Sequence, residues 1–280
     1  MAIAPFTLSA PAKINLCLLI TGRRADGYHD LQTAFQMLDI CDTLSFKLSD
    51  QLTVESNIEL PVQTNLVYLA AKLLQEFSAT NQGATIHLDK LLPMGAGLGG
   101  GSSDAATTLL GLNLLWQLDI PVDALMQLGR QLGADVPVFV FAQSAWGEGI
   151  GEVLTPLVLA KSYYLIVSPG CHVDTGRIFS HPELTRDSSS ITIARFLEHG
   201  ARNDCENVVR QLYPEVDEAL LWLNKWGPAK MTGTGSCVFL PFDSRLDAES
   251  VARQVPEQWT AFVAQGLDKS PVVSQLVQLG

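Results

Sequence analysis

One run of residues, 93–104, has the composition of a loop that binds an anion. Five of the seven positions from 95 to 101 are glycine, and Ser102 and Ser103 follow directly. Glycine lets the backbone approach a bound group closely, and the first turn of a helix offers unpaired N–H groups at the positive end of its dipole. The run therefore predicts a phosphate-binding loop, with Ser102 or Ser103 as the helix N-cap when no anion is bound.

Two better-known phosphate loops fit this run less well. Gly95-x-Gly97-x-x-Gly100 satisfies the dinucleotide fingerprint, but a second helical stretch follows where that motif needs a strand. The same glycines match the start of a P-loop, yet Gly101 occupies the position of its lysine. A flexible turn before a capped helix is the remaining alternative, although a plain turn rarely needs five glycines. The positive charge for an anion must then come from another segment.

Two polar residues interrupt an apolar strand predicted over residues 9–20. Lys13 and Asn15 alternate with apolar residues there, so both point to the same face of the strand. A lone lysine in a strand ordinarily faces solvent, but a second polar group on the same face favours a cleft. Asp135 stands between a helical stretch and an apolar run, where an aspartate is ordinarily a cap or a loop acceptor.

Two further turns carry residues that could contact a ligand. Tyr28 and His29 end a polar turn over residues 21–30, where they could stack on and hydrogen-bond a flat ligand. Packing of the tyrosine over the sheet is an equal alternative. Residues 232–236 form a second turn of glycine, serine and threonine, which is an ordinary hairpin unless it closes over phosphate from the other side.

Periodicity gives the elements that must position these residues. We predict strands over residues 9–20, 31–38, 42–48, 84–89, 134–141, 163–168, 229–232, 236–242 and 260–266. We predict helices over residues 65–76, 104–117, 121–132, 175–180, 191–199, 205–212, 215–226 and 245–254. Thr64 is the expected cap of the first helix, Gly133 ends the third, and residues 144–152 read as a mobile connector.

Composition bounds the class of protein. The chain has 280 residues, of which 47% are hydrophobic and 17% charged, which is typical of folded domains. We expect two domains, residues 1–158 and 159–280. The net charge of −11 argues against a nucleic-acid surface. The first residues lack a signal-peptide pattern, so we expect a cytoplasmic protein without membrane contact. The five cysteines read as reduced core thiols, and the five histidines show no spacing for a metal.

Three segments in order, residues 11–16, 93–104 and 230–239, resemble the three motifs of the GHMP small-molecule kinases. Residues 24–29, 132–137, 149–152 and 203–206 resemble the branch of that family that acts on a cytidine diphosphate-linked methylerythritol. The resemblance covers residues 9 to about 267. It implies an α+β, two-domain GHMP kinase fold. The N-terminal domain would be like ribosomal protein S5 domain 2, with a left-handed βαβ crossover, and the C-terminal domain would be ferredoxin-like.

The resemblance also implies a reaction and the roles of residues in the cleft between the domains. ATP would give its γ-phosphoryl group to the 2-hydroxyl of 4-diphosphocytidyl-2-C-methyl-D-erythritol, in isoprenoid precursor biosynthesis. Asp135 would be the general base, and Lys13 would stabilise the nucleophile and the charge that develops on the transferred group. The residues implied to hold the ATP phosphates are Pro93, Met94, Gly95, Ala96, Gly97, Leu98, Gly99, Gly100, Gly101, Ser102 and Ser103.

Other positions follow from the same resemblance. Asn15, Tyr28 and His29 would line the cytidine end of the acceptor, and Phe179 would supply the opposing ring. Ile150 and Thr175 would also contact the acceptor. Asn65 and Lys90 would contact the adenosine of ATP. Mg²⁺ is expected with ATP, bound largely through phosphate and water, and no protein ligand is assigned to it. The partners would be small molecules alone, and the chain a monomer or weak homodimer.

Three alternatives compete with this function. Another GHMP kinase could act on homoserine, mevalonate or a sugar, although Tyr28 and His29 would then have no base to contact. A nucleotide-binding module without catalysis would not need both Lys13 and Asp135. RNA binding, suggested by the ribosomal-like domain, conflicts with the negative net charge.

Overall fold

The computed structural model describes residues 3–59 and 61–279. The strands are β1 (Phe6–Arg23), β2 (His29–Ser49), β3 (Thr53–Ser56), β4 (Gly83–Asp89), β5 (Ala145–Glu148), β6 (Val153–Pro156), β7 (Tyr163–Ser168), β8 (Lys230–Met231), β9 (Val238–Phe242) and β10 (Thr260–Leu267). The helices are α1 (Leu66–Ser78), α2 (Gly100–Leu115), α3 (Val122–Leu132), α4 (Val136–Phe141), α5 (Thr175–Ser180), α6 (Ile193–His199), α7 (Glu206–Leu212), α8 (Pro214–Leu223), α9 (Arg245–Ala252) and α10 (Pro271–Leu279).

The first half of the chain is built on a long antiparallel pair, β1 and β2. Strand β4 pairs with β2, and β3 lies parallel to β4, so β3, α1 and β4 form a βαβ unit. The largest core fills the space between this sheet and helices α1 to α4. The pairing of β1 with β2 shifts register between Pro11 and Lys13 and again between Asn15 and Cys17. Such bulges redirect side chains locally, and these two flank Lys13 and Asn15.

The second half is a four-stranded antiparallel sheet covered by helices. Its strands lie in the order β10, β7, β9, β8, which is fourth, first, third, second along the chain. Helices α5 to α8 connect the first two strands, and α9 connects the last two. This is the β-α-β-β-α-β order of a ferredoxin-like domain, so that prediction is confirmed. The handedness predicted for the crossover in the first half stays a prediction.

The two halves share both a sheet and a core. Gly266 and Leu267 of β10 pair with β2, which joins the two sheets into one. Helix α10 then returns to the first half, where Val272 is buried in the largest core and Gln275 Oε1 accepts from the backbone N–H of Ser9 at 2.9 Å. The predicted division between residues 158 and 159 stays a prediction.

Two segments differ from the sequence-based expectation. Residues 134–141 were expected as a strand, but Val136–Phe141 is helix α4. The run is apolar on every side, so periodicity cannot separate a buried helix from a buried strand, and Pro137 suits the first turn of a helix. Residues 144–152 are not a loose connector, because β5 pairs with both β2 and β6.

Several predicted boundaries are also corrected. Residues 31–38 and 42–48 belong to one strand, β2, which continues through Asp39. Asn65 rather than Thr64 caps α1, since its side chain accepts from Val67 N at 2.9 Å. Helix α2 begins at Gly100 with Gly99 as N-cap, which puts Ser102 and Ser103 inside its first turn.

The cysteines and the lengths of the helices bear on the class of protein. All five cysteines are free, as predicted, and burial raises the pKa of Cys17, Cys205 and Cys237 to about 12. Such thiols are protonated near neutral pH and behave as small apolar groups. Among the described residues, every helix is too short or too polar to cross a bilayer.

The close packing of α2 on the sheet predicts how stability changes when a methyl group is added at Gly111. A Cβ at Gly111 would lie 2.7 Å from the ring of Phe46, which is fully buried. We expect Gly111→Ala to lower the free energy of unfolding by about 1–2 kcal/mol, because overpacking outweighs the gain in helix propensity. Urea denaturation measures it. Gly22→Ala, where the nearest atom would be 3.6 Å away, is the matched control. Equal stability of the two variants would contradict this packing argument.

Candidate active site

A cavity of about 410 Å³ lies between the two halves and collects most of the predicted site residues. It is lined by the N-terminal turn of α2, strand β1, the start of α4, helix α5 and the turn after β8. The predicted site residues that line it are Lys13, Asn15, Pro93, Gly95, Ala96, Gly97, Gly99, Gly100, Gly101, Ser102, Asp135, Ile150, Thr175 and Phe179.

The other predicted site residues lie around this cavity rather than on its wall. Leu98 and Ser103 are buried beneath the loop, whereas Met94 is 64% exposed. Tyr28, 60% exposed, lines a neighbouring cavity of about 270 Å³ that shares Ala134 and Ile150 with the larger one. The last three have partners elsewhere. Asn65 caps α1, Lys90 is in a buried ion cluster, and the ring of His29 packs on that of Phe179.

The glycine run adopts conformations that favour glycine and packs closely on the second glycine-rich turn. Gly97 and Gly99 have φ values of +79° and +72°, which favour glycine. A Cβ at Gly97 would lie 2.8 Å from the carbonyl oxygens of Thr232 and Gly235, so the two glycine-rich turns are in direct contact. The first N–H groups of α2 have no partner within the helix, and Gly100, Gly101 and Ser102 place them at the cavity wall.

Lys13 is the positive charge that the loop itself lacks. The residue is only 2% exposed. Its Nζ donates to Asn15 Oδ1 at 2.7 Å and to the carbonyl of Gly97 at 3.0 Å, and it pairs with Asp135 Oδ2 at 3.1 Å. An ammonium has three hydrogens, and here each has an oxygen nearby. The structure thus joins strand, glycine loop and aspartate through one atom.

Asp135 and Asn15 are held differently. Asp135 precedes the first turn of α4, and its side chain is 37% exposed, so its carboxylate faces the cavity while it pairs with Lys13. Asn15 is buried, donates from Nδ2 to Thr33 Oγ1 at 2.8 Å, and accepts from Lys13. Its backbone N–H donates to Thr232 Oγ1 at 2.9 Å. The shared face predicted for Lys13 and Asn15 is confirmed, and both are fixed before any ligand binds.

Lys90 belongs to a buried ion cluster under the loop. Its Nζ contacts Asp42 Oδ2 at 2.5 Å and Asp104 Oδ2 at 2.8 Å, and all three side chains are at most 5% exposed. Burial raises the pKa of Asp104 to about 7, even though Lys90 lowers it. Burial alone would lower the pKa of Lys90, but the two carboxylates outweigh it and raise that pKa. A Cβ at Gly100 would lie 3.2 Å from Lys90 Nζ, so this cluster supports the loop from below.

A short turn places Ile150 at the cavity. Its backbone N–H donates to Glu152 Oε2 at 2.6 Å, and Glu152 also lies 3.7 Å from Arg130 on α3. The carbonyl of Gly149 accepts from Leu31 N at 2.6 Å. The turn is therefore anchored to both β2 and α3, which fixes the side of the cavity nearest to Tyr28 and His29.

Comparison with known proteins decides the family. The GHMP kinases N terminal domain matches residues 65–143, and the GHMP kinases C terminal domain matches residues 184–261. A 4-diphosphocytidyl-2-C-methyl-D-erythritol kinase from Chromohalobacter salexigens is 52% identical over 275 residues, which cover 95% of this chain and 92% of that protein. The chain belongs to the 4-diphosphocytidyl-2-C-methyl-D-erythritol kinase family of GHMP kinases.

Solved structures agree with membership of this family. A crystal structure of 4-(cytidine 5'-diphospho)-2C-methyl-D-erythritol kinase superposes with a TM-score of 0.83 at 32% identity, covering 93% of this chain and 99% of that one. A homoserine kinase from Cytophaga hutchinsonii gives a TM-score of 0.66 at 16% identity, covering 95% of each chain, which shows the fold alone. The predicted family, α+β GHMP kinase fold and kinase class are confirmed.

Sequence reasoning missed part of the cavity wall. Phe35 faces Asn15 across the β1–β2 pair, and Lys13 Nζ lies 5.9 Å from the centre of its ring. Thr33 and Phe35 line the cavity, as does His172. Thr33 and Phe35 could be predicted only from the register in which β2 pairs with β1. The bulges in β1 shift that register, so the sequence alone does not give it. His172 lies in a loop, where the sequence has no period that predicts its position. In the structure it is so near Gly95 that a Cβ there would touch it.

The ion cluster gives a test of what Lys90 does. We expect Lys90→Met to lower the free energy of unfolding by about 3–5 kcal/mol, because two buried carboxylates lose their cation. Lys72→Met, at an exposed position of α1, is the control and should change stability by less than about 0.5 kcal/mol. Thermal or urea unfolding measures both. Unchanged stability with weakened ATP binding would instead support the adenosine contact predicted for Lys90.

Proposed function

We propose that this chain transfers the γ-phosphoryl group of ATP to the 2-hydroxyl of 4-diphosphocytidyl-2-C-methyl-D-erythritol, giving the 2-phosphate and ADP, in isoprenoid precursor biosynthesis. The observation that carries the proposal is the contact of Lys13 Nζ with Asp135 Oδ2 at 3.1 Å on the wall of a cavity that the glycine loop also lines. A base for the acceptor and a cation for the transferred group thus lie side by side. The names of the relatives support the choice of acceptor.

The ATP phosphates would lie on the glycine loop and the N-terminus of α2. Backbone N–H groups and the helix dipole favour an anion there. Among the described residues, no group of three or more His, Cys, Asp or Glu side chains is placed to hold a metal ion. Ser102 and Asp135, which both line the cavity, carry hard oxygen donors and would be the residues to hold Mg²⁺, an ion carried largely by phosphate and water. When bound, the ion neutralises phosphate charge.

Asp135 and Lys13 would divide the chemistry between them. The acceptor oxygen bonds to the γ-phosphorus while the bond from that phosphorus to the bridging oxygen of ADP breaks. The hydroxyl proton passes to the Asp135 carboxylate, which is open to the cavity. Lys13 stabilises the charge on the acceptor oxygen and on the transferred group from a fixed position. Because the reaction asks little covalent chemistry of the protein, this positioning supplies most of the acceleration.

The cytidine end of the acceptor would lie beyond Ile150 and Phe179. The ring of His29 packs on Phe179 with 5.2 Å between centroids, and Tyr28 is exposed on the next cavity. A flat base held there would gain stacking and hydrogen bonds. The resemblance predicts Asn15 at the cytidine end, but Asn15 contacts Lys13, so we place it with Thr175 closer to the reacting hydroxyl. The adenosine contacts of Asn65 and Lys90, a cytoplasmic location and a monomer or weak homodimer stay predictions.

The acceptor is tested directly with a panel of alcohols. With ATP and Mg²⁺, we expect ADP release on 4-diphosphocytidyl-2-C-methyl-D-erythritol to exceed that on homoserine, mevalonate or galactose by orders of magnitude, because only the first carries a base for Tyr28 and His29. Coupled detection of ADP measures it. Strong turnover on homoserine or mevalonate without turnover on the cytidyl acceptor would refute the proposal.

The base is tested by one isosteric change. We expect Asp135→Asn to keep ATP affinity and to lower kcat by about 10²–10⁴-fold, the range for loss of a general base. Asp123→Asn, at an exposed position in the first turn of α3, removes the same charge and serves as control. Steady-state kinetics and ATP titration give the two readouts. Full activity of the Asp135 variant would remove that residue from the mechanism.

A further inference from the structure

Arg186 lies in the segment between α5 and α6, and its hydrogen bonds link that segment to His29 and Phe179. Its Nε donates to His29 Nε2 at 3.2 Å. One terminal nitrogen, Nη2, donates to the carbonyls of Phe179 at 2.9 Å and His181 at 2.7 Å, and the other, Nη1, to that of Leu184 at 3.0 Å. The guanidinium therefore holds both members of the His29–Phe179 ring pair.

The segment that carries Arg186 is itself fixed to the first half of the chain. Ser188 N donates to the carbonyl of Ile20 at 3.0 Å, and Ile191 N donates to Gln32 Oε1 at 2.8 Å. These contacts bring residues 186–191 against the ends of β1 and β2, where His29 begins β2. These two hydrogen bonds, one to backbone and one to a side chain, fix the segment that carries the guanidinium relative to His29.

A guanidinium is always a donor, and this fixes the protonation of the ring that it faces. Arginine cannot accept a hydrogen bond, so His29 Nε2 must accept and carries no proton. In a neutral imidazole the proton then sits on Nδ1. Burial, Arg186 and Arg23 all lower the pKa of His29, which keeps the ring neutral near pH 7. His29 consequently presents a single donor, Nδ1–H, to whatever lies on its other side.

We propose that Arg186 is a positioning residue that holds His29 in the Nδ1–H tautomer, packed on Phe179, and so prepares this pair to recognise the base of the acceptor. The identity of that base rests on the proposed function. The tautomer of His29 follows from its contact with Arg186 alone. Arg186 does not line the cavity and touches the site through His29 and Phe179. Loss of a purely structural residue would lower stability and raise the KM values of both substrates alike. Loss of this positioning residue would change the tautomer of His29 and raise the KM of the acceptor alone.

The first arm of the test reads the ring without substrate. In ¹⁵N-histidine-labelled protein, the His29 nitrogens should show a protonated Nδ1 and an unprotonated Nε2 at pH 7, assigned by comparison with His29→Gln. In Arg186→Gln the two tautomers should mix and the pKa of His29 should rise. Arg186→Lys keeps the charge but loses the planar fork, so it should keep most of the pKa effect while the tautomers mix. A protonated Nε2 in the wild-type ring overturns the proposal.

The second arm reads substrate recognition. Arg186→Gln should raise KM for the cytidyl acceptor by about tenfold, the loss of one or two ordered hydrogen bonds, while KM for ATP changes by less than about twofold. Arg195→Gln removes the same charge from an exposed position on α6 and should leave both constants unchanged. Equal increases in both KM values, or an unchanged acceptor KM, overturn the proposal.

The two arms separate failure of this inference from failure of the proposed function. If the wild-type protein does not phosphorylate the cytidyl acceptor, the proposed function is wrong. The inference then stands only if the Nδ1–H tautomer is present in the wild type and lost in Arg186→Gln, and it falls if either result is absent. If the wild-type protein is active and the ring does not respond to Arg186→Gln, the inference alone is wrong.

Discussion

The buried ammonium of Lys13 is the constraint around which the site is arranged. A charge that is almost removed from water is stable only with good partners, and Lys13 finds them on three separate segments. The carbonyl of Gly97 can face it because Gly97 adopts a positive φ. Asp135 can face it because α4 begins there. The three contacts of the Lys13 ammonium therefore fix the positions of the glycine loop, strand β1 and the start of α4 relative to one another.

The glycine loop lies between two cations that act differently. Lys13 reaches the cavity beside a carboxylate that is partly open to solvent. Lys90, below the loop, is closed off by two carboxylates and has no access to the cavity wall. A chain with net charge −11 thus has a local positive environment at this cavity, made by the buried Lys13 ammonium, backbone N–H groups and a helix dipole. The second cation stabilises the floor of the loop and the βαβ unit around it.

The sequence predicted the local chemistry well and the long-range geometry poorly. Phosphate binding by the glycine run stays a prediction, whereas the turn and helix start around that run and the shared face of Lys13 and Asn15 follow from residue type and short spacing. Helix α4 did not, because an apolar run buried on all sides has no period to read. The partners of Lys90 and Arg186 lie up to 157 residues away along the chain, and no local pattern records which distant oxygen or nitrogen a side chain meets.

The return of α10 to the first half of the molecule bears on how the chain is made. Val272 and Gln275 complete the packing around β1, yet they are synthesised after the whole second half. Domains commonly fold in order as they leave the ribosome, but one side of the first core is covered by a helix that follows the second half. The strand that joins the two sheets, β10, immediately precedes that helix. Closure of the first core and joining of the sheets therefore both require residues 260–279, which follow the other elements along the chain.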